Sequence, residues 1–133
     1  MPHRRLSSSD WWEQSRRDLR AAEHLLNEGF SAHAVALAHL AVEKSMKAIL
    51  RDRSGEAPPV THNLSELMVR VGGEWPADLA RAIDELSRLD ITLLYEPDAF
   101  FRRRLPDHFE NARHAVADAR SVVEWIQHQL ESS

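Results

Sequence analysis

The chain contains no cysteine, which excludes disulfides, thiolate catalysis and sulfur-based zinc sites and leaves nothing to argue for an oxidising compartment. Glycine is scarce. Four occur in 133 residues, at Gly29, Gly55, Gly72 and Gly73, each between stretches of helical periodicity, where they read as punctuation. No apolar run approaches the roughly 20 residues of a membrane span. The opening "MPHRRLSSSD" lacks the hydrophobic segment of a secretory signal, and the expected location is the cytoplasm. Positive charge is not in excess either. With a formal net charge of -4 and a sequence pI near 6.0, the molecule as a whole does not attract nucleic acid, so any anion site must be local. There is no alternating β pattern of useful length, no internal repeat and no low-complexity tract. Lysine is rarest among the cations: Lys44 and Lys47 stand against fifteen arginines. That bias, with many alanines, is a compositional hint of a GC-rich bacterial genome.

What is present is helical rhythm. The length suits one domain over 1–133, with 1–9 and 131–133 as flexible ends, and it is enough to bury roughly two thirds of the unfolded chain's surface. From Asp10, the positions Trp12, Ser15, Leu19, Ala22 and Leu26 step by three and four, and Asp10 and Glu13 are spaced as a capping box. A second helix from about Ser31 to about Arg53 carries Val35, Val42 and Ile49 on one stripe. Beside it lie Ala34, Ala38, Ala41, Ser45 and Ala48, small enough for a neighbouring helix to approach closely. "SGEAPP" ends it through proline. A short third helix follows Asn63, again with capping-box spacing to Glu66, and stops at Gly72 and Gly73. Pro76 suits the first turn of a fourth, marked by Leu79, Ala82, Ile83, Leu86, Leu89 and Leu93. The last opens with Asp107 and Glu110 and keeps Phe109, Ala112, Val116, Ala119, Val123, Ile126 and Leu130 in register. The expected fold is all-α: an antiparallel up-and-down four-helix bundle with an additional short helix, about five helices in all.

The two lysines raise a separate question. Glu43 and Lys47 are four apart in the favourable orientation, which as an exposed ion pair contributes about 0.3 to 0.5 kcal/mol. Arginine would serve such a pair equally well. The stretch "AHLAVEKSMKAIL" resembles the second-helix signature of HEPN domains (higher eukaryotes and prokaryotes nucleotide-binding), a small-residue helix with Glu-Lys followed by Lys-Ala. The similarity runs from about Trp11 to about Leu130. It includes the rhythm around Asp18 and Leu19, the turn at Gly29 and Phe30, and "THNLSEL", similar to that family's Thr-His-x-Leu start of a third helix. "LYEPDAF" resembles its Arg-Tyr-Pro-Asp loop, with Leu94 in place of the arginine and Glu96 extra.

The resemblance implies one of two functional groups: metal-independent ribonucleases, or non-catalytic bundles that bind nucleotides or partners. Many members of the family act beside a small nucleotidyltransferase in toxin and antitoxin pairs. The ribonuclease group carries an arginine, four to six residues, then a histidine, meeting across a dimer seam. Here Arg103 and His108 fit with four residues between them, and Arg102 with five. Pro106 interrupts the segment, and Glu110 stands where those enzymes have an aromatic. Attack of a ribose 2′-hydroxyl on its own phosphate needs a proton-moving group near neutral pKa and a cation to stabilise the developing charge. At a helix start, His108 would also feel the positive end of the dipole, which attracts phosphate. The bland reading is a solvated arginine loop and a helix-start histidine.

The same segment supports binding without chemistry: Arg102, Arg103 and Arg104 beside Phe100 and Phe101 offer guanidinium for phosphate and rings for a base. Lys44 and Lys47 join them as candidate nucleotide or RNA ligands, with a structural or interface role as the alternative. His62 is expected to cap or pack against the third helix, and Trp11, Trp12, Trp75 and Trp125 to serve core or interface. His108 and His114 are six apart, and no pair of histidines has the three or four spacing of a helical metal site, so neither metal nor cofactor is expected. The expected assembly is a homodimer acting with a nucleotidyltransferase on a nucleotide or RNA. The alternatives are a ribonuclease using Arg103 and His108, and an interaction bundle with no ligand.

Overall fold

The computed structural model describes residues 6–88 and 108–132, with side chains described from Ala112 onward in the last helix. Five helices and no strand occur among the described residues: α1 (Ser8–Asn27), α2 (Ser31–Ser54), α3 (Leu64–Val71), α4 (Ala77–Ser87) and α5 (His108–Glu131). The fold is all-α, as the periodicity predicts.

Helix α1 starts earlier than Asp10. Ser7 is its N-cap: its side chain accepts from the Asp10 amide, and the Asp10 carboxylate accepts from the Ser7 amide, a reciprocal capping box. Asp10 is therefore the third member of a box that begins in the serine run, and Glu13 reaches forward to Arg17 instead. Ser8 is also tied in, its hydroxyl donating to the Ala48 carbonyl at 2.8 Å. Helix α2 ends one residue beyond Arg53, closed by Gly55 at φ +74°, where a side chain would be strained. That glycine, ahead of the prolines, is the stop. Asn63 caps α3 by accepting from the Glu66 amide, while Glu66 accepts from the Thr61 hydroxyl and leaves the box half-closed.

Helix α2 is central. Buried positions run round its whole circumference, from Ser31 and Ala32 through Ala36, Ala38 and Val42 to Ala48 and Ile49, the pattern of a helix covered on all sides. It packs on α1, α3 and α5. Against α1 the contact is made of small residues: Ser15 and Ala22 face a stripe that includes Ala34, Ala38 and Ala41, all fully buried. With so little side chain between them the backbones come close enough for the Ser15 hydroxyl to donate to the Ala41 carbonyl at 2.6 Å. Helix α5 buries Ala112, Val116, Ala119, Val123 and Ile126 of the predicted seam and adds Ala115 and Val122; Leu130 is partly buried, and the Phe109 side chain lies outside the described residues. Arg120 clamps it to α1 through Glu23, with Nε 2.8 Å from the carboxylate. Trp75, ahead of α4, lies on Trp125 of α5 with ring centroids 4.2 Å apart, and both pack against the core. The expected continuation of α4 through Leu89 and Leu93 lies outside the described residues.

Candidate functional site

The centrality of α2 settles where its charged residues go. Glu43 is 3% exposed and Lys47 6%, so the exposed ion pair expected from their spacing is in fact buried. The Lys47 ammonium donates to Glu43 Oε2 at 3.1 Å and lies 5.3 Å from the centroid of the Trp11 ring. A cation over an indole face gains electrostatic attraction from the ring. The second carboxylate oxygen, Oε1, is 2.9 Å from His62 Nδ1. His62 therefore does not cap α3, which Asn63 does; it bonds back to α2 and anchors the connection that follows Pro59. Its side chain is 63% exposed, so one ring nitrogen sits on a buried carboxylate while the ring itself remains open to solvent. Three segments thus converge on the Glu43 and Lys47 pair: Trp11 from α1, the pair's own helix α2, and His62 from the loop before α3.

Lys44 points to another side of the helix. Its ammonium is 2.7 Å from Asp18 Oδ2, and both side chains are largely covered, which makes a cross-link between α1 and α2. Both lysines proposed as phosphate ligands thus already hold carboxylates. The chemistry explains their type: Lys47 delivers a compact ammonium at the end of an apolar stem that packs in the bundle, where a planar guanidinium needs more room and more acceptors.

Of the other residues singled out in the sequence, Arg102, Arg103 and Arg104, with Phe100 and Phe101, lie outside the described residues. His108 is the first residue of α5, and its side chain is likewise outside them, so the pairing of Arg103 with His108 has no described geometry. Among the described residues no group of three His, Asp or Glu is arranged to hold a metal ion, and no helix is long and apolar enough to cross a membrane.

A polar cleft that the sequence did not flag opens between α4 and α5, with a volume of about 300 Å³ and walls that include Arg81, Glu85, His114 and Asp118. Burial, reinforced by the neighbouring Glu85 charge, pushes the Asp118 carboxyl above the usual aspartate range, with His114 and Arg81 opposing the shift. A second open cavity, of about 350 Å³, lies along the outer face of α1 between Ser9 and Arg20.

The described residues form an α-helical bundle whose middle helix carries a buried Glu43 and Lys47 pair, with His62 on the carboxylate. The HEPN domain matches residues 8–129, and the chain belongs to the HEPN family, whose helical modules are typically related to nucleotides or RNA. Two solved structures share the fold. TT1696 from Thermus thermophilus is 24% identical with a TM-score of 0.73, covering 91% of this chain and 96% of its own. ST0689, an archaeal HEPN homologue, is 21% identical with a TM-score of 0.71, covering 93% and 98%. No curated protein matches the chain.

Proposed function

We propose that the protein is a nucleotide- or RNA-associated HEPN module that works as a homodimer beside a small nucleotidyltransferase, as in toxin and antitoxin pairs. Membership of the HEPN family over residues 8–129 is the observation that carries this reading. The arginine-rich segment at Arg102, Arg103 and Arg104 supports it on chemical grounds, because three guanidiniums ahead of a helix N-terminus suit phosphate. Lys44 and Lys47 serve such a site indirectly. With Asp18 and Glu43 already on their ammonium groups, their contribution is to hold α1, α2 and the His62 segment in place.

The test is nucleotide-dependent thermal stabilisation of the purified protein across mono-, di- and triphosphates and short RNAs. A ligand that binds the folded state at 100 times its Kd raises stability by about 2.7 kcal/mol. Loss of that shift in Arg103→Ala supports the reading, and the absence of a shift with every nucleotide and RNA overturns it in favour of an interaction bundle. RNA cleavage in EDTA that disappears in His108→Ala would replace it with the ribonuclease alternative.

A further inference from the structure

On α1 the cations divide. Arg17 pairs with Glu13, 3.7 Å away. Arg16 and Arg20 are exposed and hold no ion pair or hydrogen bond among the described residues. Being four apart, they lie on one face at roughly 6 Å separation along the axis, and Trp12 lies one turn before them at the same spacing. These three, with Ser9 and Glu13, line the open cavity of about 350 Å³ on the outer face of the helix. Trp12 is half-buried and packs at its base against the core, so its ring loses little freedom on meeting a ligand. Glu13, the one acid lining the cavity, lies 3.7 Å from Arg17, and Glu23, three residues after Arg20, is bonded to Arg120. In a chain of net charge -4, two unneutralised guanidiniums beside a fixed indole make an electropositive, aromatic strip.

We infer that the Trp12, Arg16 and Arg20 face of α1 is a binding strip for a phosphodiester carrying an unpaired base, as in single-stranded RNA, with the phosphates on the two guanidiniums and the base on the indole. This rests on the nucleotide- or RNA-associated reading and extends it to a face built from α1. Guanidinium forks match phosphate oxygens in two-point contacts, and any base can stack on an indole, so recognition here tolerates sequence. The Ser9 hydroxyl at the head of the cavity adds a donor for a phosphate oxygen.

The experiment is fluorescence anisotropy of the full chain with a labelled 12-nucleotide oligouridylate, titrated at several salt concentrations, with adenosine monophosphate and polyglutamate as unlabelled competitors. The double variant Arg16→Ala/Arg20→Ala is expected to bind at least about tenfold more weakly. Its slope of log K against log salt should be shallower by about 1.4, at about 0.7 per single-strand phosphate contact. Trp12→Ala is expected to lose roughly tenfold with the slope unchanged, because stacking carries no counterion release, and Trp12→Phe to recover part of it. Displacement of the labelled strand by unlabelled oligouridylate but not by adenosine monophosphate assigns the strip to a strand; equal displacement by both assigns it to a free nucleotide. Both keep the shared chemistry. Wild-type binding that is unchanged in the double variant overturns this strip while leaving the broader reading standing, whereas a wild type that binds no nucleotide or RNA removes both. Displacement by polyglutamate as effective as by RNA, or conversion of a dimer to a monomer by the double substitution under light scattering, would make the face a protein seam and sink the proposal. Circular dichroism melting of each variant, expected within about 2 °C of wild type for the arginine pair, separates lost binding from lost fold.

Discussion

The two sides of α1 handle positive charge in opposite ways. On the inner side, Lys44 of α2 meets Asp18 at 2.7 Å and Lys47 meets Glu43 at 3.1 Å, so each ammonium is neutralised before any ligand arrives. On the outer side, Arg16 and Arg20 project with no carboxylate of their own among the described residues. A cation's availability thus follows its position relative to the core and not its motif. A buried ammonium without a counter-charge would cost several kcal/mol, so a central helix must supply one. An exposed guanidinium is hydrated and needs none.

The largest effect should come from breaking the inner pair. Glu43→Ala leaves Lys47 buried and His62 without its anchor, and is expected to destabilise the fold by about 3 kcal/mol or more, measured by urea unfolding. If the protein tolerates this substitution with less than a tenth of that loss, Lys47 reaches water and the inner pair does not hold the three segments together. The double variant Glu43→Leu/Lys47→Met should recover most of the loss, because an apolar pair of similar volume avoids both desolvation costs. Next in size, Ala41→Leu inserts bulk where the α1 and α2 backbones approach closely, and should cost about 1 to 3 kcal/mol by overpacking. Gly55→Ala forces a side chain into φ +74° and should cost about 1 kcal/mol, visible as a lowered thermal midpoint.

Smaller still is the cleft between α4 and α5. Asp118 has its pKa raised in the folded state, so the protonated form favours folding; the contribution is complete below the unfolded pKa and fades as pH rises through the folded one. Because the Asp118 side chain is only half-buried and solvent screens it, Asp118→Asn should raise the thermal midpoint at pH 7 only slightly, by about 2 °C or less. The gain should shrink as the pH falls through the carboxylate range; a gain that instead grows on acidification would contradict the assigned direction. The smallest change of all is expected from Arg16→Ala and Arg20→Ala, each within about 0.5 kcal/mol of wild type in stability, which is what lets their effect on RNA binding be read cleanly.

Particular residues show how far reading the chain could go. The seam of α5 was legible from Ala112 to Ile126 because a three-four rhythm maps directly onto one face of a helix, whichever partner covers it. Asn63 was legible as a cap because capping is decided within four residues. Ser7 is not distinguished by the sequence: three serines in a row precede Asp10, each a competent cap, and in the structure Ser7 is the cap while Ser8 bonds to the Ala48 carbonyl of α2. The bond from His62 to Glu43 is not legible for a similar reason: the two are 19 residues apart, while the capping role expected of His62 belongs to Asn63. The Arg16 and Arg20 strip carried no signal at all in a chain with fifteen arginines, for their freedom is defined by which other arginines found carboxylates, such as Arg120 with Glu23.

The order of residues alone dictates a bundle of helices, where most of them start and stop, and which family's scaffold they build. Those properties follow from propensity, capping and periodicity, which act over a few residues. Which charges are neutralised inside and which are left to act is set by the packing of the helices. That depends on the dielectric around each group and on partners brought from distant positions, and neither is written in any local stretch of the chain.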